Sequence, residues 1–487
     1  MSGVATHVRR RTSHIRTKGD LDGGLRPFQT PAPEPTKGLL PLIGATPMVE
    51  LTKLAAGPCR LFLKLEGANP GGSIKDRPAL AMIEAAERDG RLKPGGAIVE
   101  ATAGNTGLGL ALVAAAKGYR LLLVIPDKMS REKIFHLRAM GAEIVLTRSD
   151  VGKGHPEYYQ DKAARIAAET RGAIFINQFA NPANPLAHEL TTGPEILEQL
   201  DGDVDAIVCG VGSGGTLTGL SRFFAKASPG TEIVLADPVG SILADVVEGR
   251  PLREAGSWLV EGIGEDFVPE NADLKRVSRA YSIGDAESFE AARTLLKAEG
   301  VLGGSSTGTA LAAALKYCRE QTRPKRVVVI SADSGNKYLS KMYNDFWMAD
   351  QGFLRKPRHG DLRDLISRRY DEGAAVTIAP DDKLQTGYAR MKLYDVSQLP
   401  VLQGDKVIGI IDESDLLLAV FSNPERFHVE VRSAMSGAIE TIPVSSALGA
   451  LLPVFDKGYV AVVVDGDRFL GLITRIDLLN HLRRQVD

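Results

Sequence analysis

The sequence predicts an α/β protein with parallel sheets in two lobes, followed by a smaller duplicated module. Three observations carry this. From about residue 39 to 350, short apolar runs alternate with segments of helical spacing. A polar, basic linker, "GFLRKPRHGDLRDL", interrupts that alternation. Beyond it the pattern changes and then copies itself. Repeated βαβ units imply parallel strands covered by helices on both faces. A chain of 487 residues has room for two to four such units.

The first 38 residues belong to neither part. They carry "RRR" at 9 to 11 and "PAPEPTKG", with few apolar residues and no apolar run of the secretory kind, which predicts a disordered tail. In the catalytic-sized region, 39–350, "RLFLKLE", "AIVEAT", "RLLLVIP", "EIVLT", "DAIVCGV", "EIVLAD" and "RVVVISAD" predict strands. "RPALAMIEAAERDG", "GLGLALVAAAKG", "SREKIFHLRAMG" and "LTGLSRFFAKA" predict helices between them. Ligands of such folds lie beyond the carboxyl ends of the strands.

After the linker (351–363), "GDKVIGIIDESDLLLAV" at 404–420 matches "GDRFLGLITRIDLLNHL" at 466–482. Gly404 and Gly466, Gly409 and Gly471, and Asp415 and Asp477 are all separated by one offset. Two copies of one supersecondary unit, over 364–424 and 431–487, each bury a face against the other.

Composition excludes several classes. Net charge is −1, so no general electrostatic grip on nucleic acid or membrane is expected. The apolar runs are too short to span a bilayer. Cys59, Cys209 and Cys318 are widely spaced, supporting neither a disulfide framework nor a zinc site, and a cytoplasmic setting follows.

The chemistry lies in loops. "ATAGNTGLGLAL" at 101–112, "GVGSGGTLTGL" at 210–220 and "VLGGSSTGTALAA" at 301–313 each open a helix, and "NPGGSIKDR" places Lys75 between a glycine turn and another. Glycines admit a ligand to backbone N–H groups, and a helix start favours anions. "GVGSGG" satisfies the dinucleotide fingerprint but lies deep in the chain and is weak alone. The nucleoside-triphosphate pattern fails, because Ser73 stands where its lysine must be. A lysine beside a phosphate cradle suits pyridoxal phosphate, an aldehyde that needs an amine; a solvated helix-start lysine is the bland alternative.

Together, "NPGGSIKDR", "TAGNTG", "NQFANPANPLAHELTTGPEI", "GVGSGGTLTG" and "GGSSTG" resemble the fold-type II pyridoxal-phosphate enzymes that replace a group on the β-carbon of an amino acid. Cysteine synthases and cystathionine β-synthases share these motifs. "VEGIGEDFVPE", "DSGNKYLSKMYNDFWM" and the tandem repeat, which resembles a CBS-domain pair, favour the second branch. The resemblance implies that Lys75 is the Schiff-base lysine and the proton carrier, and that Asn105 meets the cofactor's 3-oxygen. It implies a phosphate cradle of Gly212, Ser213, Gly214, Gly215 and Thr216, with Ser305 at the pyridine nitrogen. Thr102, Gly104, Thr106 and Gln178 would hold the substrate carboxylate, and Glu261 would meet the incoming amino acid. A lyase of the hydro-lyase type follows, condensing L-serine with L-homocysteine to cystathionine in transsulfuration and cysteine biosynthesis, with hydrogen sulfide release as a further option. A cysteine synthase using O-acetylserine and sulfide, or an adenosyl-ligand sensor with a degenerate catalytic half, are the alternatives.

Two departures stand out: Ala103 where many members have Ser, and Phe179 where animal members tend to have Tyr. His7 and His14 lack a nearby cysteine, so no haem is expected. In the repeats, Thr474 and Asp477 resemble a ribose-binding pair, while the first copy has Asp412 in place of the Thr. S-adenosylmethionine or another adenosyl ligand is implied there; helix capping is the alternative. A homodimer or higher homo-oligomer is expected.

Overall fold

The computed structural model describes residues 35–102, 104–127, 131–152, 154–354 and 359–483. His7, His14, Ala103 and most of the expected tail lie outside them, as do 355–358 of the linker and 484–487.

Among the described residues, ten strands build the first part: β1 (Met48–Leu51), β2 (Arg60–Leu65), β3 (Ala97–Glu100), β4 (Arg120–Pro126), β5 (Glu143–Thr147), β6 (Ala173–Phe175), β7 (Ala206–Cys209), β8 (Glu232–Pro238), β9 (Val277–Ile283) and β10 (Arg326–Ser331). They form two sheets, one of order β1-β2-β10-β7-β8-β9 and one of order β5-β4-β3-β6. Only β1 runs antiparallel to its neighbour. The apolar runs explain this directly, because strands covered by helices on both faces bury every residue. All four residues of β3 and of β7 are buried.

The larger sheet packs on the helix Ser305–Arg319 through Leu61, Leu63, Val208, Val234, Leu311 and Tyr317. On its other face, Ile207, Leu235 and Val328 meet Leu217, Leu220 and Phe224 of the helix Gly215–Ala227. The smaller sheet packs on Asp76–Arg88 and Asn105–Lys117 through Met82, Ile83, Leu110, Val113 and Leu123. Strands β2, β10 and β7 are adjacent and parallel, so the segments that follow them leave from one edge. Those segments carry Lys75, Asp333 and the glycines from 210 to 215.

The C-terminal repeat is a structural duplication. β11 (Gln398–Gln403) and β12 (Lys406–Asp412) form one hairpin, and β14 (Ala461–Asp465) and β15 (Arg468–Ile473) form the other; β13 (Thr441–Pro443) lies parallel to β14. The tight turns use Gly404 and Gly466, both at φ +60°, where a Cβ would be strained. A bulge recurs at the same offset, between Val401 and Leu402 and between Val463 and Val464. Leu402, Val407, Val462, Val464 and Phe469 make one core shared by the two copies.

Candidate active site

Lys75 follows a turn that its own neighbour closes. Asp76 Oδ2 accepts the Gly71 N–H at 2.5 Å, and the Asn69 carbonyl accepts the Gly72 N–H at 2.8 Å. The Ile74 N–H donates to the Ala332 carbonyl at 2.8 Å, which ties the turn to the end of β10. The backbone of Lys75 is thus held from both sides. Its amine has no hydrogen-bond partner among the described residues. Burial lowers its pKa, with Asp333, Cys209 and Glu265 opposing that shift. A lysine without a partner and with a depressed pKa is more nucleophilic toward an aldehyde than a solvated one.

Lys75 lines one narrow cavity together with Gly212, Ser213, Gly214, Gly215 and Thr216. Gly214 sits at φ +84°, and a Cβ there would meet the Ala272 backbone at 2.7 Å, so the tight approach of this loop depends on glycine. The cradle opens the helix Gly215–Ala227, whose first N–H groups suit a phosphate. Ser213 Oγ accepts from Asn184 Nδ2 at 2.9 Å, and Thr216 Oγ1 lies 3.3 Å from His188 Nε2. Burial, with Lys75 and Arg77 nearby, holds His188 well below its usual range, so the imidazole is neutral. His188–Thr192 forms one π-turn, a rare form that turns His188 Nδ1 onto Thr192 Oγ1 at 2.9 Å.

The second loop stands across the site. Thr102 Oγ1 accepts the Gly104 N–H at 3.2 Å, just before the helix Asn105–Lys117. Thr106 Oγ1 donates to Gln178 Oε1 at 2.6 Å, which leaves the Gln178 amide nitrogen as a free donor. Glu100, fully buried, accepts the Ala101 N–H at 2.9 Å and the Gln178 N–H at 3.1 Å. Burial pushes its carboxyl up to about 7, against those two bonds. The Gln178 carbonyl in turn accepts from Asn184 and Asn271, each at 2.8 Å. Phe179 packs against Phe267, with ring centroids 5.7 Å apart.

The third loop supplies Ser305, the first residue of its helix, whose Oγ accepts the Glu261 N–H at 3.0 Å. The Glu261 carboxylate is clamped by Lys133 and by Lys341, the latter at 2.6 Å. Burial would raise its pKa; the two ammonium groups outweigh that and lower it. These three residues line a cleft of about 630 Å³ with Gly104, Asn105 and Gly262. Gly262 also lines the cavity at Lys75, so cradle and cleft are contiguous.

The structure therefore brings Lys75, the cradle, Asn105, Gly104 and Glu261 to one place, with Thr102 bonded to Gly104, Ser305 bonded to Glu261, and the bonded pair Thr106 and Gln178 linked to the cradle through Asn184. Sequence reasoning missed Glu100, Asn184, His188 and the clamping lysines. Asn184 and His188 lie inside "NPANPLAHEL" and Lys341 inside "DSGNKYLSKMYNDFWM", both part of the resemblance; nothing local marks Glu100 or Lys133. The residues present fit a phosphorylated aldehyde: an unpartnered lysine, a glycine cradle on a helix start, and a side-chain amide opposite.

Thr474 and Asp477 lie elsewhere, at a cavity of about 290 Å³ that Val376, Asp395 and Phe469 also line. Asp477 Oδ2 accepts from the Thr474 N–H at 2.7 Å and from Oγ1 at 2.6 Å, opening the helix Arg475–Arg483. Asp412 and Asp415 make the same capping box in the first copy. The pair caps a helix and also faces a cavity.

Fold and site together define a two-lobed pyridoxal-phosphate-dependent enzyme with a C-terminal CBS-domain pair. The family described as "Pyridoxal-phosphate dependent enzyme" matches residues 39–333, and the CBS domain matches 362–422 and 431–484. Cystathionine beta-synthase of Mus musculus is 38% identical, over 89% of this chain and 79% of its own length. Cysteine synthase of Staphylococcus aureus is 42% identical, over 63% of this chain and 97% of its own. A hydrogen sulfide-producing enzyme from Fusobacterium nucleatum superimposes with a TM-score of 0.58 at 37% identity, covering 62% of this chain and all of that one. The chain belongs to the cystathionine beta-synthase family of pyridoxal-phosphate-dependent enzymes. Among the described residues no helix is long and apolar enough to cross a membrane.

Proposed function

We propose that this chain condenses L-serine with L-homocysteine, giving cystathionine and water in the synthesis of cysteine. The observation that carries the reading is the shared cavity of Lys75 and the glycine cradle, continuous with a cleft that holds a carboxylate between two lysines. When bound, pyridoxal phosphate withdraws electrons from the substrate α-carbon. Gly212, Ser213, Gly214, Gly215 and Thr216 would hold its phosphate, Asn105 would meet its 3-oxygen and Ser305 its ring nitrogen. Thr102, the Gly104 N–H, Thr106 and Gln178 orient the donor carboxylate at a helix start. The Lys75 amine, when free, would take the α-proton and return a proton to the leaving hydroxyl, which would depart as water. As the thiol sulfur bonds to the β-carbon, its proton would pass to the Lys75 amine and from there to the α-carbon, restoring the C–H bond.

The clamp favours an amino-acid thiol over inorganic sulfide. A zwitterion offers an ammonium to Glu261 and a carboxylate to Lys133 or Lys341, so one set of ion pairs replaces another as it enters. Sulfide offers neither. Length agrees with this, because the cysteine synthase relative matches only 63% of this chain, whereas the cystathionine beta-synthase of Mus musculus matches 89%. Hydrogen sulfide release by the same chemistry belongs to the proposal, and no step of it calls for haem.

We further propose a tail (1–38), catalytic domain (39–350), linker (351–363) and CBS domains at 364–424 and 431–487. The cavity at Thr474 and Asp477 takes S-adenosylmethionine or a related adenosyl ligand. A homo-oligomer in the cytoplasm is the expected form; three free cysteines suit a reducing compartment.

Product identification with serine, O-acetylserine, homocysteine and sulfide in competition tests the reading. Cystathionine is expected to dominate; faster turnover of O-acetylserine with sulfide overturns it. Lys75→Ala is expected to lose the cofactor's visible band and roughly 10³-fold or more in turnover.

A further inference from the structure

Lys337 lies inside "DSGNKYLSKMYNDFWM", where the resemblance assigns it no role, and its amine lies in the cleft. Nζ donates to Asn105 Oδ1 at 2.5 Å and to the Gly72 carbonyl at 3.3 Å. Asn105 Nδ2 donates to Asp333 Oδ2 at 2.8 Å, and that same oxygen accepts the Tyr338 hydroxyl at 2.8 Å. Asp333 is 1% exposed and Tyr338 5%, so this far end of the chain of bonds is rigid and dry. The Asn105 amide is held at both ends. Flipping it would set N–H groups against the Lys337 ammonium and the amide oxygen against the Asp333 carboxylate. Donor would face donor and acceptor would face acceptor. The orientation is therefore decided by two charges, and one Nδ2 hydrogen is left without an acceptor among the described residues.

We propose that Lys337 is a positioning residue for the cofactor's 3-oxygen: it locks the Asn105 amide so that the remaining Nδ2–H serves that oxygen. A cation on the amide oxygen also polarises the amide and strengthens its N–H groups as donors. The inference rests on the reading of Asn105 as the group that meets the 3-oxygen. A purely structural lysine would hold the Gly72 turn and leave the cofactor's electronics alone.

The test uses the purified holoenzyme and its N105A, K337M and K337R variants. It reads the ratio of visible to ultraviolet absorption of the resting cofactor, and the cofactor's dissociation constant. K337M is expected to shift absorption toward the ultraviolet, as N105A does, and to weaken cofactor binding about tenfold. K337R, which keeps a charged donor, is expected to restore the visible band. A K337M spectrum and affinity identical to the parent, beside an altered N105A, overturns the role of Lys337 alone. An unaltered N105A overturns the reading of Asn105 itself, and the inference with it. Should K337M not fold, K337Q replaces it, since it removes the charge while keeping a donor; the same shift is expected.

Discussion

Ser305 Oγ accepts the backbone N–H of Glu261 at 3.0 Å, and this bond joins the two ends of the site. Ser305 starts the helix assigned to the ring nitrogen, and Glu261 carries the carboxylate at the mouth of the cleft. A side chain on one loop therefore sets the backbone of another 44 residues away in sequence.

Removing that hydroxyl is expected to act at both ends. Ser305→Ala leaves the Glu261 N–H without its acceptor, a loss of about 1–3 kcal/mol in a half-buried setting. The Glu261 carboxylate then sits less firmly between Lys133 and Lys341. Steady-state kinetics are expected to show a rise of about tenfold in KM for the thiol substrate. The visible absorption of the bound cofactor is expected to change as well. A KM for the thiol equal to that of the parent removes the link.

The phosphate cradle offers a steric test. A Cβ on Gly215 would overlap the Asn184 amide oxygen. Asn184 cannot step aside cheaply, because its Nδ2 donates to both the Gln178 carbonyl and Ser213 Oγ. Gly215→Ala should therefore disturb the phosphate and carboxylate sides together. Cofactor affinity is expected to fall about tenfold or more, and the melting temperature to drop with about 1–3 kcal/mol of lost stability. Cofactor titration followed by thermal melts measures both.

Much of this was legible in the sequence, and the rest was hidden for a common reason. Lys75 and the three loops could be found because each is a local pattern: small residues between a strand and a helix. The duplicated module could be found because the offset from Gly404 to Gly466 recurs at each key position, down to the bulge. The Glu261 clamp, by contrast, needs Lys133 from 128 residues away, and the Asn105 lock needs Lys337 from 232 away. Lys133 does not differ locally from a solvated lysine, and Lys337, although it sits within "DSGNKYLSKMYNDFWM", carries no local sign of its partner. Glu100 sits at the end of an ordinary apolar strand, and only its burial reveals that it ties Ala101 to Gln178. The π-turn at His188 depends on packing against Thr216, which no periodicity encodes.

Glu265 should make stability fall with rising pH. Its side chain has no hydrogen-bond partner among the described residues. Burial, then Asp266 and Asp237, push its carboxyl up to about 8 from the usual 4.5, against the pull of Lys75. A raised acid pKa means that the folded state holds a proton the unfolded state has released. Stability is thus full below about pH 4.5 and declines up to about pH 8. Glu265→Gln mimics the protonated form and is expected to flatten that slope. Thermal melts should show the variant gaining stability over the parent at alkaline pH, by about 1.4 kcal/mol for each pH unit by which the carboxyl is raised, and nothing at acid pH. Equal slopes for the two proteins would mean that Glu265 is ordinary.

Glu195 is expected to be the costliest single carboxylate to lose. Oε2 accepts from Lys64 Nζ at 2.8 Å and from Arg77 Nη2 at 2.7 Å, while Oε1 accepts from Arg77 Nη1 at 2.6 Å. The Lys64 and Arg77 side chains are 0% and 2% exposed, and the other anion of the group, Glu66, is 0% exposed. Two cations and two anions balance. Burial would raise the Glu195 pKa, but Arg77 and Lys64 hold it at about 2. Glu195→Gln leaves two buried cations facing one anion, which costs about 3–5 kcal/mol because the desolvated charge is no longer compensated. If that imbalance is the cause, adding Lys64→Met should recover part of the loss, since it removes one buried cation. Urea unfolding of the two single variants and the double variant measures the coupling. A double variant whose loss equals the sum of the single losses would show that Glu195 and Lys64 act independently.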